Sequence, residues 1–474
     1  MQGKLFINGE WTGESLDVIE VVNPATGETI GTVPNGNTNE ARMAIESAQL
    51  AFEEWSSLTA GEKSSYLMKW YDLIMENKHD LAKMITLEMG KPLAEAIGEI
   101  EYAASFISWY AEEAKRIYGR TIPGSTTNKR IQVMKQPIGV VACITPWNFP
   151  AAMITRKMAP ALAAGCTVVI KPSELTPFTA IKLFQLCEKA GFPKGVVNLV
   201  MGDAANIGKE MTSNNHVKKL TFTGSTNVGK ILIQQSADHV QNLSLELGGH
   251  APAIVFEDAD LEKAVNGVIT SKYRNGGQTC ICSNRIYVHE QVLEEFIEKF
   301  TRKVTSLKVG SGLEESTNIG PLINENAYEK VNRHVQDAIS NGATLHVGGD
   351  GVSQNGAYFY QPTVLSGVSD DMLIMNEETF GPVAPIQTFR SDEEAIEKAN
   401  NSPFGLAAYF FTENYARGQR VAEKLQYGII GWNDGAPSVA QAPFGGMKES
   451  GIGREGGTEG LDAFLETKYV SISI

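Results

Sequence analysis

Cysteine is scarce in this chain. Five residues in 474 (Cys143, Cys166, Cys187, Cys280 and Cys282), odd in number and irregularly spaced, exclude a secreted disulfide framework and point to a reducing compartment. Positive charge is also short: 41 Lys and Arg against 55 Asp and Glu leave a formal net charge of -14. A field of that sign repels phosphate backbones and anionic lipid, so neither nucleic acid nor a membrane surface is an expected partner. No apolar run approaches the roughly 18–20 residues that span a bilayer. The opening Met1–Gly9 lacks the cationic start and apolar core of a secretory leader. The expected setting is cytoplasmic. Histidine is rare, seven in all, and none stands at ligand spacing near the Cys280-x-Cys282 pair, so no zinc site or other metal is expected. Fixed-period repeats, low-complexity tracts and long linkers are absent too.

What is present is an ordinary globular mixture, 42% hydrophobic and 20% charged, in a chain too long for one core, which predicts two or three domains. Lys4–Glu10 and Val18–Val22 read as short strands ended by turns at Asn8-Gly9 and Asn23-Pro24. From Thr38 to Gly119 apolar residues recur at helical spacing. Val140–Ile144 is a continuous apolar run, as for a strand buried on both faces of a parallel sheet. It is followed by an expected helix over Ile154–Ala164, a strand at Thr167–Ile170, a helix over Pro177–Ala190, and strands at Val196–Val200 and Lys219–Phe222. That alternation predicts a doubly wound, Rossmann-like sheet. A second α/β series starts at Ala253–Phe256 and runs to about Ile430, and two such lobes place an active site in the cleft between them. The tail Leu465–Ile474 alternates like a strand with no partner nearby in sequence. It is read either as an edge strand for another subunit or as a frayed end.

Several segments carry groups suited to chemistry. In Asn275-Gly276-Gly277-Gln278-Thr279-Cys280-Ile281-Cys282 the glycines allow close backbone approach and the polar tract keeps a cysteine accessible. A nucleophilic cysteine needs that access and a lowered pKa, whereas an arbitrary cysteine is more often buried and structural. Glu246 sits between two leucines before Gly248-Gly249. There it is either a carboxylate with the raised pKa of a general base or an exposed residue on a strand edge. Phe222–Lys230, with Gly224, Ser225 and Gly229, follows a strand and opens a helix, so backbone N–H groups could meet a pyrophosphate. It is not the G-x-G-x-x-G fingerprint. Lys171-Pro172-Ser173-Glu174 ends another strand, at the edge where open sheets bind cofactors.

Together these segments resemble the aldehyde dehydrogenase superfamily over essentially the whole chain. The motifs appear in order: Pro146-Trp147-Asn148-Phe149-Pro150, Lys171–Glu174, Phe222–Ser225, Leu245–Gly249, Gly277–Cys280, Glu378-Thr379-Phe380-Gly381-Pro382, Pro443–Gly446 and Leu465–Lys468. The resemblance implies an α/β fold with a Rossmann-like cofactor domain (1–118 and 140–246), an α/β catalytic domain (247–454) and a small oligomerisation β-extension (119–139 and 455–474). It also implies a homodimer or homotetramer. Cys280 is then the nucleophile that attacks the aldehyde, and Glu246 is the base that activates water to hydrolyse the thioester. The Asn148 amide and the Cys280 N–H form an oxyanion hole, whose donors are each worth roughly 10²–10³ in rate. Trp147, Lys171, Ser173, Glu174, Gly224, Ser225, Gly229, Glu378 and Phe380 fall at cofactor positions. NAD is expected to be favoured over NADP, because a carboxylate at Glu174 accepts from a ribose hydroxyl and repels a phosphate.

A narrower likeness is to the succinate-semialdehyde dehydrogenases. Arg156, Arg274 and Ser438 match residues that grip a distal carboxylate in that group, with Phe149 and Phe444 lining the substrate. Paired guanidiniums suit a carboxylate and offset the negative field locally. The expected partner is thus a small aldehyde bearing a carboxylate. Glutarate semialdehyde or a broader range of aldehydes is the alternative, and a non-catalytic family member is disfavoured because Cys280, Glu246 and Asn148 are all present. Cys282 also matches the group and is a redox candidate for a strained, reversible bridge to Cys280. The loop Asn433-Asp434-Gly435-Ala436-Pro437 departs from the more apolar loop expected before Ser438.

Overall fold

A computed structural model describes residues 1–474. The apolar run Val140–Ile144 lies inside an eight-stranded sheet. Across that sheet the order is Glu10–Thr12, Leu5–Ile7, Val197–Leu199, Thr167–Lys171, Val140–Ile144, Val217–Thr223, Asn242–Glu246 and Gly451–Ile452. The five central strands are parallel. Chain order runs outward from Val140–Ile144 in one direction and resumes at Val217–Thr223 in the other. The switch point therefore falls between these two strands, and the residues leaving their C-terminal ends are Trp147-Asn148 and Gly224-Ser225. Helices Ala152–Ala164, Pro177–Ala190, Ala204–Ser213 and Thr226–Ser236 alternate with the strands. Four further helices between Thr38 and Glu113 pack into the same apolar core. The first of them is capped by Asn37, which accepts from the Asn39 N–H while Glu40 closes the box.

The second lobe is a seven-stranded sheet in the order Thr344–Val347, Thr363–Ser366, Val383–Phe389, Ser283–His289, Ala251–Val255, Ala407–Phe411 and Ile429–Trp432. Every pairing is parallel except that of the Thr344–Val347 edge. Both faces are covered, because Ala253 and Val255 enter one core while Ile254 and Phe256 enter the other. That is why the sequence here reads as an unbroken apolar run.

Two features differ from expectation. The tail strand Leu465–Ser473 does not fray. It pairs antiparallel with Lys129–Pro137, from Leu465↔Pro137 to Ser473↔Lys129, and Arg120–Ile122 completes a three-stranded sheet. The partner is over 300 positions away, beyond any local signal. Gly451–Ile452, placed in the catalytic domain by the boundary at 454, instead closes the edge of the first sheet against Leu245 and Glu246. A side chain at Gly451 would stand 2.2 Å from the Leu245 carbonyl oxygen, so only glycine fits there.

Candidate active site

Cys280, the expected nucleophile, is the one partly exposed cysteine; the other four are buried. It lines a cavity of about 330 Å³ together with Trp147, Asn148, Gly224, Ser225, Glu378 and Phe380. The loop that presents it is held by backbone contacts only glycine permits. A Cβ on Gly277 (φ +77°) would meet the Gly381 carbonyl at 2.1 Å, and one on Gly249 would meet the Cys280 carbonyl at 2.3 Å. Asn275 holds a left-handed backbone at φ 55° and donates from Nδ2 to the carbonyls of Asn148 and Gln278, both at 3.1 Å. Asn148 Nδ2 donates to the Gln278 carbonyl at 3.0 Å, so its amide points toward the cysteine loop. The Cys280 N–H makes no hydrogen bond within the chain. Burial pushes the Cys280 thiol up to about 12, with Glu378 and Glu246 adding to the rise, while Arg156 and Arg274 pull it down.

Glu246 is 2% exposed at the end of its strand, which rules out the reading of an exposed edge residue. Its Oε2 has no hydrogen-bond partner. Burial raises its pKa well above the usual carboxylate range and the neighbouring Glu455 raises it further, against Arg156, Lys157 and Arg454.

The cofactor positions Trp147, Lys171, Ser173, Glu174, Gly224 and Ser225 follow the C-terminal ends of the first sheet's strands, while Glu378 and Phe380 come from the second lobe. Ser225 caps the helix Thr226–Ser236, accepting from the Val228 N–H at 3.4 Å. Lys171 and Glu174 form an ion pair, and Ser173 accepts from the Leu175 N–H at 3.2 Å. Burial pushes Glu378 up to about 7, opposed by the Gly249 N–H that donates to it at 3.2 Å. Phe380 adopts φ 56°, a costly backbone for an aromatic residue, and sets its ring edge-on to Trp147 at 5.6 Å. A helix N-terminus at Ser225 with Lys171 and Glu174 on the first sheet's C-terminal edge, and Glu378 of the second lobe lining the same cavity as Ser225, fit the pyrophosphate and ribose hydroxyls of a dinucleotide. At Gly229 the missing side chain makes room for Leu247 Cδ2, 2.5 Å from where a Cβ would sit.

The two arginine candidates each sit over an aromatic ring. The Arg274 guanidinium lies 5.2 Å from the Phe149 ring centre and that of Arg156 lies 4.2 Å from the Phe444 ring centre. Arg156 is not free, because its Nε is 2.6 Å from Glu455 Oε2. Ser438 has a buried Oγ with no partner. The unusual loop before it folds on its own polar groups. Asn433 exchanges hydrogen bonds with the Thr412 backbone at 3.0 and 2.9 Å, and Asp434 accepts from the Ala436 N–H at 2.8 Å. Gly435 passes so close to Gly267 that a Cβ would be 2.2 Å from its carbonyl. Cys282 stands apart from the cavity. It is fully buried, with its thiol directed to the Lys272 carbonyl at 3.3 Å. Both thiols are free, and the Cys282 N–H donates to the Thr279 carbonyl at 3.0 Å.

The aldehyde dehydrogenase family model matches residues 11–470. The chain belongs to the aldehyde dehydrogenase family. It is 54% identical over 470 residues to a glutarate-semialdehyde dehydrogenase of Pseudomonas putida, covering 99% of this chain and 97% of that one. It is 52% identical over 469 residues to the NADP(+) succinate-semialdehyde dehydrogenase of Escherichia coli, again covering 99% and 97%. The crystal structure of succinate-semialdehyde dehydrogenase from Burkholderia pseudomallei superposes with a TM-score of 0.98 at 53% identity, covering 100% of this chain and 98% of that one. This aldehyde dehydrogenase thus has an NAD(P)-dependent family around it and the fold that the motifs implied.

Three residues of the site escaped the sequence reading. Glu455 contacts both Arg156 and Lys157. Despite burial, those two cations hold it below the usual carboxylate range. Tyr102, on the helix Leu93–Glu113, is raised by burial and lies close enough to Arg156, Arg274 and Cys280 to feel their charge. Lys330 lines the cavity beside Glu378. None has a local motif. A single Glu, Tyr or Lys gains such a position only through contacts made by distant parts of the chain.

Proposed function

We propose that this enzyme oxidises succinate semialdehyde to succinate, with Cys280 as nucleophile. The observation that carries the reading is the approach of two arginines to Cys280, Arg156 over the Phe444 ring and Arg274 over the Phe149 ring, with the buried, unpartnered Ser438 Oγ as a third proposed contact. Charge-assisted hydrogen bonds there suit a distal carboxylate, while Cys280 stands close enough to both arginines for its thiolate to be favoured by their charge. Attack of the Cys280 sulfur on the aldehyde carbon forms a C–S bond and an oxyanion, which the Asn148 Nδ2 and the Cys280 N–H stabilise. NAD(P), when bound along the cavity, supplies the acceptor for the hydride. Glu246 takes a proton from the water that cleaves the thioester, and its raised pKa makes it basic enough to do so.

Lys171, Ser173 and Glu174 serve the adenosine ribose, Gly224 and Ser225 the pyrophosphate, and Trp147, Glu378 and Phe380 the nicotinamide side. NAD is favoured and NADP used more weakly, because Glu174 repels a 2′-phosphate that Lys171, tied to Glu174, only partly offsets. Residues 1–118 and 140–246 form the cofactor domain and 247–454 the catalytic domain, apart from Gly451–Ile452, which closes the first sheet. The sheet of Arg120–Ile122, Lys129–Pro137 and Leu465–Ser473 joins copies into a homodimer or homotetramer. No helix is long and apolar enough to cross a membrane. Five free cysteines suit the cytoplasm.

A second reading, glutarate semialdehyde, is favoured by the 54% identity to the glutarate-semialdehyde dehydrogenase of Pseudomonas putida. Measuring kcat/KM for succinate semialdehyde, glutarate semialdehyde and butanal, each with NAD and NADP, tests both. Preference for the uncharged aldehyde would overturn the carboxylate reading.

A further inference from the structure

We infer that the buried Lys91–Glu99 pair is a positioning device that aims the Asn148 amide. The two side chains are wholly buried, with Lys91 Nζ 2.5 Å from Glu99 Oε2. Together they grip one short loop at both ends. Lys91 Nζ donates to the Asn148 carbonyl at 2.8 Å and stands 3.8 Å from the Phe149 ring centre. The other oxygen of Glu99 accepts from the N–H groups of Ala151 at 2.9 Å and Ala152 at 3.3 Å. Those amides open the helix Ala152–Ala164, whose N-cap residue, Ala151, offers no side-chain cap of its own. Glu99 thus caps that helix from a neighbouring helix, Leu93–Glu113, and its charge complements the positive end of the helix dipole.

The arrangement has more direction than stability requires. A buried ion pair replaced by well-packed apolar groups often leaves a fold as stable as before. An apolar pair, however, could not fix the Asn148 carbonyl or the first turn of the following helix. With its carbonyl held by Lys91 and by Asn275 Nδ2, the Asn148 backbone is fixed, and its side-chain amide is directed to the Cys280 loop. Lys91 and Glu99 touch no reacting atom; they act through Asn148. The same loop carries Phe149, and the helix it opens carries Arg156.

This inference rests on Asn148 being an oxyanion donor, and a mutant cycle separates the two ideas. Single-turnover formation of NADH from saturating succinate semialdehyde is measured for wild type, Lys91→Met, Asn148→Ala and the double variant. Misplacement of a reacting group by about 1 Å costs on the order of 10²-fold, so Lys91→Met is expected to slow the step by about that factor. In the Asn148→Ala background the same change is expected to cost less than about threefold, because the group it aims is gone. NAD affinity, read by protein fluorescence, is expected to stay unchanged in all four. A merely structural role would lower the melting temperature and slow the reaction by the same factor in both backgrounds, and that result would overturn the inference. So would a wild-type rate in Lys91→Met. A wild-type rate in Asn148→Ala would overturn the oxyanion reading itself and the inference with it. Should Lys91→Met not fold, Glu99→Gln keeps the volume and an acceptor for the helix amides while removing the charge. The same cycle with that variant is expected to give a loss of roughly tenfold that vanishes in the Asn148→Ala background.

Discussion

Arg156 Nε lies 2.6 Å from Glu455 Oε2 with both side chains buried, while Arg274 stacks over Phe149 and is partly exposed. The two arginines, alike in sequence, are therefore expected to fail differently. Hydrogen bonds to a charged group are worth about 1.5–3 kcal/mol each, roughly 10- to 100-fold in KM. Arg274→Ala should raise KM for succinate semialdehyde by that factor, leave KM for butanal within about threefold, and barely move the melting temperature. Arg156→Ala should raise the same KM and also destabilise the fold by about 3 kcal/mol, because one partner of a buried pair is lost. Calorimetry beside a two-substrate assay checks this. Equal KM losses on charged and uncharged aldehydes would make both arginines structural.

Cys280→Ala removes the proposed nucleophile and leaves the cofactor edge intact. Dehydrogenase activity should disappear while NAD still binds, as measured by fluorescence titration. Glu246→Gln should let the first step proceed and stall the second, so that intact-protein mass spectrometry finds the acyl group on Cys280. Rapid turnover by either variant would count against these roles.

The pH dependence follows from Glu455. Glu246 acts as a base only when ionised, and burial plus the Glu455 charge raise its pKa. Hydrolysis should therefore increase with pH through that raised value. Glu455→Gln deletes a neighbouring negative charge and leaves Arg156 and Lys157 to favour the Glu246 anion. The acid limb of the kcat profile should move to lower pH. A shift to higher pH, or none, would show that the two carboxylates do not interact as their burial implies.

Cofactor preference turns on a single carboxylate. Glu174 and Lys171 are paired, and at an effective dielectric near 20 a close charge pair is worth about 4 kcal/mol before screening. Glu174→Ser removes the group that repels a 2′-phosphate and frees Lys171 to meet it. The ratio of kcat/KM for NADP over NAD should rise at least about tenfold, the equivalent of some 1.4 kcal/mol of that pair energy. An unchanged ratio would mean that Glu174 does not face the ribose.

Sequence alone was enough for whatever depends on local pattern. The apolar runs at Val140–Ile144 and Ala253–Phe256 marked strands buried on both faces, because a strand covered twice has no polar face to show. The alternation of strands and helices marked the doubly wound sheet, and ordered motifs around Asn148, Glu246 and Cys280 marked the family. What charged residues do once buried was decided by tertiary structure. Arg156 read as a free clamp until Glu455, 299 positions later, was found beside it. Lys91 and Glu99 gave no signal, because a lysine eight residues before a glutamate is an ordinary surface pattern unless a loop such as Asn148–Ala152 lies against both. Leu465–Ser473 likewise showed its alternation but not its partner Lys129–Pro137. Periodicity reports how much of a residue is hidden from water. Which atom meets a buried charge depends on how distant segments pack, and no local spacing encodes that.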